Sequence, residues 1–139
     1  MLHTDIPVKL AAVKVAFSVG ALAFEGDLAA SLFHLQLIEN DIADWNAEAK
    51  VIAIFHTNAG HVTLHDSAYN ADLNVATGNP YKKLVADLMK CGAQIELCGA
   101  TAKARKWGNA DLLPGVKVNT DAMARTTQLV QEGFVKITE

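Results

Sequence analysis

Only two of the 139 residues are cysteine, three are proline, and aromatic residues make up 6%. Cys91 and Cys98 stand at what reads as a helix end and at the far end of the next strand. A strand of about six residues spans roughly 20 Å, far beyond the Cα separation a disulfide tolerates. A disulfide framework is therefore excluded, and two free thiols are expected. Charge of one sign is also scarce. A formal net charge of -3 supplies no cationic surface for nucleic acid or acidic lipid. The run from Leu10 to Phe24 is interrupted by Lys14 and Gly20 and passes directly into Glu25, Gly26 and Asp27. No segment thus offers the ~20 apolar residues of a membrane helix. Gly20 and Gly26 form no phosphate-cradling loop, and no Gly-Lys-Ser/Thr occurs. Ser18, Ser31 and Ser67 lack the glycine framing of a nucleophile elbow.

What is present is apolar residue, 51% of the chain, enough for one domain of this length to bury a core without metal or cross-links. Residues 1–9, with Pro7, read as a loosely attached arm, and residues 10–139 as the domain. Val13 to Val19 alternates and is rich in β-branched residues, so it is expected to be a strand. Leu28, Leu32, Leu35, Ile38 and Ile42 recur at helical spacing and predict an amphipathic helix from about Asp27 to Trp45. Lys50 to His56 is a nearly continuous apolar run, as a central parallel strand covered on both faces requires. Asp72 to Asn79 reads as a loop. Asn79 and Pro80 read as the cap and first turn of a helix that Gly92 stops. Gln94 to Cys98 alternates as a strand, and a short helix is expected from Thr101 to Trp107. A short strand at Val116 to Val118, a helix capped by Thr120 or Asp121, and a last strand from Phe134 to Thr138 complete the pattern. Alternating strands and helices imply a single α/β domain with a mostly parallel sheet of about five strands and helices on both faces.

Two constellations bear chemistry. Cys98 ends its strand where Gly99 hands over to a helix, the place at which open α/β sheets collect ligands. Lys103, Arg105 and Lys106 follow it and would favour a thiolate. Alternatively, Cys98 is a small buried hydrophobe and the cations are a solvated helix face. His56, His61 and His65 form the second set. His61 and His65 stand at i and i+4, so on a helix they share a face and could ligate a transition metal with His56 and Cys98. The segment lacks the glutamate of a zinc-protease helix, and loop histidines are also compatible with simple solvation or hydrogen bonding.

Cys98-Gly99, preceded by an alternating strand and followed by Lys103-Ala104-Arg105-Lys106-Trp107-Gly108, resembles the DsrE/DsrF-like proteins of the sulfur-relay superfamily. Asp111-Leu112-Leu113-Pro114-Gly115-Val116 and a helix ending in Leu129-Val130-Gln131-Glu132-Gly133-Phe134 extend the likeness, which runs from about Val13 to Ile137. The resemblance implies a small α/β domain that assembles as a homotrimer or homohexamer. It also implies an active cysteine, at Cys98 here, that takes sulfur from a donor protein as a persulfide and passes it to an acceptor protein. Arg105 and Lys106 would lower its pKa, and no cofactor is needed. The alternative is a non-catalytic module binding a transition metal or small ligand through His56, His61 and His65. The stretch His56-Thr57-Asn58-Ala59-Gly60-His61, with Asp66-Ser67-Ala68-Tyr69, is closer to a branch whose members often carry export signals. A periplasmic location is accordingly favoured over a cytoplasmic one, with Met1 either natural or a start placed where a leader was removed.

Overall fold

In the computed structural model, which describes residues 1–139, the first long strand, β1 (Ala12–Val19), leads into a small hairpin of β2 (Phe24–Glu25) and β3 (Leu28–Ala29). Helix α1 (Ala30–Trp45) and strand β4 (Glu48–Phe55) follow. Next come a 3-10 helix at Thr57–Thr63 and helices α2 (Asp66–Leu73) and α3 (Lys82–Lys90). Strand β5 (Gln94–Cys98) runs directly into α4 (Gly99–Arg105). A 3-10 turn at Asn109–Asp111, β6 (Lys117–Asn119), α5 (Ala122–Gln131) and β7 (Val135–Thr138) complete the chain. Met1 to Leu10 holds no strand or helix and is exposed.

The sheet order is β6-β5-β4-β1-β7, and every neighbouring pair is parallel. The chain steps outward from β1 to β6, and α5 then carries it back across the sheet to β7, on the other flank of β1. The reversal of direction lies between β1 and β7. Each strand face has its own helices. Val13, Val15, Phe17 and Val19 of β1, with Val51, Ala53 and Phe55 of β4 and Ile95 of β5, pack against Leu32 and Leu35 of α1 and Val85 and Leu88 of α3. Ala16, Ile52, Ile54 and Cys98 face the other way, onto Ala122 and Leu129 of α5 and onto Phe134. Each large side chain so buried contributes about 1.5–3 kcal/mol, which is why the period-two pattern fixes the register. The α/β class, the five parallel strands and the helices on both faces agree with the sequence. No helix is long and apolar enough to cross a membrane.

Several boundaries differ from expectation. The first helix begins at Ala30 rather than Asp27, because Phe24–Ala29 is used by the hairpin, whose two-residue loop places Gly26 at φ +62, a conformation that glycine adopts freely. The third helix begins at Lys82, two residues beyond Pro80. Asn79 still accepts a bond from the Tyr81 N–H at 2.8 Å. Its amide also donates to the carbonyls of Val62 and Leu64, tying this turn to the 3-10 segment. Helix α4 starts at Gly99, immediately after the cysteine, and not at Thr101. Cys91 caps α3 as an exposed thiol, and both cysteines are free.

Candidate functional site

Because the five sheet strands run parallel, their carboxyl ends share one rim. Phe55 pairs with both Val19 and Leu97, so His56 and Cys98 stand one residue further on, side by side. A cavity of about 790 Å³ opens there, lined among others by Ser18, His56, Thr57, Cys98, Thr101 and Lys136. It lies on the α5 face at the β1–β7 reversal, the position at which doubly wound sheets hold ligands.

Cys98 is only 5% exposed, yet it borders this cavity. As the residue preceding α4 it stands at the start of a helix. The Ala122 N–H, at the start of α5, donates to its sulfur at 3.2 Å. Burial pushes the thiol pKa up. Against it act the Ala122 N–H, which donates to the sulfur, and the nearby Thr101 N–H and hydroxyl and Ala100 N–H, and together they prevail: the thiol is held below its ordinary value of 9.0.

Hydrogen bonds connect this sulfur to the neighbouring strand ends. The Thr57 N–H donates to the Thr101 hydroxyl at 3.1 Å. The Thr57 hydroxyl is 2.9 Å from His56 Nδ1, and His56 Nε2 is 3.0 Å from the Ser18 hydroxyl. Thr57 holds this geometry at φ +51, a left-handed conformation that costs a β-branched residue about 1–3 kcal/mol. The His56 ring fits because Gly20 has no side chain, since a Cβ there would come within 2.7 Å of the ring. Burial lowers the His56 pKa and the charge of Lys136 lowers it further, so the imidazole is neutral at neutral pH.

The expected cations lie elsewhere. Helix α4 has seven residues, a rise of roughly 10 Å, so Arg105 and Lys106 stand at the end opposite Cys98. Arg105 pairs with Asp72 at 3.4 Å and lies over the Trp107 ring at 5.8 Å, while Lys106 closes the helix at φ +62. Neither lines the cavity. The groups acting on the sulfur are backbone N–H donors and one hydroxyl, where the sequence pointed to side-chain charge.

The three histidines also separate. A 3-10 helix turns every three residues, so an i, i+4 pair does not stack on it, and the segment ends at Thr63 before His65 is reached. The His61 ring packs 5.8 Å from Tyr69 and 6.4 Å from Tyr81, and burial lowers its pKa. His65 caps α2 by accepting the Ala68 N–H at 3.2 Å, with Asp111 at 3.9 Å. Only His56 joins Cys98 at the cavity, and no three His, Cys, Asp or Glu side chains converge as a metal site would need.

Ser18, Thr57, Thr101 and Lys136 are site residues that pattern reading passed over. A signal for one of them existed. Ser18 is a polar residue near the carboxyl end of a largely apolar strand, and in a parallel sheet such ends share a rim, whereas Lys136 is the second residue of β7, in register with Ala16. The hydroxyls of Thr57 and Thr101 had no such signal, since their roles depend on the first turns of the 3-10 segment and of α4 meeting.

No curated protein matches the chain. Among solved structures, a protein of unknown function from Methanobacterium thermoautotrophicum has a similar fold, with TM-score 0.71 and 20% identity over 91% of this chain and 99% of that one. The ychN protein from E. coli is also similar, with TM-score 0.61 and 16% identity over 91% and 100% of the two chains. The sequence model of the DsrE/DsrF-like family matches residues 14–138, and with nearly the whole domain so covered, the chain belongs to the DsrE/DsrF-like family.

Proposed function

We propose that the protein is a sulfur carrier that holds sulfur as a persulfide on Cys98. The family suggests a sulfur-relay-related role. The observation that carries the finer reading is the set of donors around the Cys98 sulfur, which lower the thiol pKa despite burial at the edge of a cavity. A relay thiol has to attack and then be attacked, so a stabilised thiolate with a way in serves better than a general base. The Cys98 thiolate attacks the outer sulfur of a donor persulfide. The donor's S–S bond breaks, its thiolate leaves, and a new S–S bond forms on Cys98. An acceptor thiolate then takes that outer sulfur and releases the Cys98 thiolate. No net oxidation occurs, and no metal is required. Donor and acceptor are proteins, and the carrier works as a homotrimer or homohexamer, as its family resemblance implies.

Intact mass spectrometry before and after exposure to polysulfide tests this reading. The wild-type protein and Cys91→Ser are expected to gain reductant-sensitive sulfur located on Cys98, and Cys98→Ser is expected to gain none there. Equal loading of the two single variants would reject the carrier role.

A further inference from the structure

Two residues before the cysteine, and on the same face of β5, lies a carboxylate that is almost completely buried. Glu96 is 2% exposed. Arg125 of α5 grips it with Nε at 3.0 Å and Nη2 at 2.9 Å. The amides of Asn119 and Gln94 donate to it at 3.0 and 2.7 Å. The Asn119 carbonyl oxygen in turn faces the Gly99 N–H at 3.4 Å. Gly99 leaves no room for a side chain against β6, since a Cβ there would be driven into the Asn119 backbone oxygen.

A buried ion pair is a poor source of stability, because an apolar pair of similar size commonly does as well or better. What it provides is geometry. A single carboxylate here ties together two elements that meet at Cys98. Through Arg125 it holds α5, whose first N–H, at Ala122, donates to the sulfur. Through Asn119 it holds the Cys98–Gly99 junction, from which the α4 donors project. We infer that Glu96, Arg125 and Asn119 are positioning residues for the Cys98 thiolate: they touch no reacting atom but set the N–H groups against the sulfur. This rests on the reading of Cys98 as the reactive thiol.

The test is the pH profile of iodoacetamide alkylation in a Cys91→Ser background, so that only Cys98 reports. Arg125→Lys keeps the charge but loses the fork, and Asn119→Ala removes the Gly99 arm while leaving the ion pair in place. In both, the midpoint of the profile is expected to rise and the rate below it to fall about fivefold, the effect of one weakened hydrogen bond to a charged group. The plateau at high pH is expected to stay, which general loosening of the fold would not produce. Unmoved midpoints in the folded variants, checked by circular dichroism and melting, would overturn the inference. If Arg125→Lys does not fold, Asn119→Ala decides it alone. An ordinary thiol midpoint in the Cys91→Ser parent is a different failure, one that removes the reactive thiol and this inference with it.

Discussion

At Cys98 two effects of opposite sign act on one sulfur. Burial favours the neutral thiol, while donors from Thr101, Ala122 and Ala100 favour the thiolate and prevail. Thr101 has a double task, because its hydroxyl helps hold the thiol pKa down and also accepts the Thr57 N–H. Thr101→Val keeps the shape and removes both contributions. It is expected to slow Cys98 alkylation below the midpoint about fivefold, with Thr101→Ser restoring most of the rate. A Thr101→Val profile matching wild type would remove the hydroxyl from the account. The cysteine itself was legible, since an alternating strand ending in Cys-Gly is a local pattern. Its donors were not, because Ala122 lies 24 residues away and nothing in an alanine announces a role for its N–H. Arg105 and Lys106 were conspicuous in sequence but stand at the far end of α4.

Helix α1 carries a defect of the opposite kind. Its core face, read from Leu32, Leu35, Ile38 and Ile42, includes Glu39, which is 7% exposed and has one carboxylate oxygen without a partner. Burial raises its pKa. An unsatisfied buried polar atom costs about 1–3 kcal/mol, so Glu39→Leu is expected to raise the melting temperature at neutral pH by about 3–6 °C. Calorimetry checks this, and a lower melting temperature would mean that Glu39 has a partner in the assembled protein. The helix was legible from its periodicity. Its start was not, because Leu28 fits the helical spacing equally well, while pairing of Glu25 with Leu28 across Gly26 claims that residue for the hairpin.

Over the whole molecule, strand identity and parallel direction could be read from apolar runs alternating with helices, whereas the β6-β5-β4-β1-β7 order could not. Nothing local in Val135–Thr138 says that it joins β1 rather than β6. With that order went the cavity at the β1–β7 reversal and the union of Glu96 with Arg125, which are 29 residues apart. That union contributes to the pH response of the fold. Burial alone would raise the Glu96 pKa, but bonds from Arg125, Asn119 and Gln94 outweigh it and bring the folded value below the ordinary 4.5. A depressed carboxylate pKa adds stability that is fully present above the unfolded value and is lost as pH falls through the folded one. Glu39 has the reverse sign: its folded pKa lies above 4.5, so its cost is absent below that value and grows as pH rises through the folded pKa. Denaturant melts between about pH 3 and 8 separate the two. Glu96→Gln is expected to lose about 3 kcal/mol at neutral pH, where Arg125 is left without a counter-charge, and less in acid, flattening the acid limb. Glu39→Leu is expected to gain more at neutral pH than in acid, steepening it. A Glu96→Gln protein with the wild-type acid limb would show that some other carboxylate governs acid unfolding.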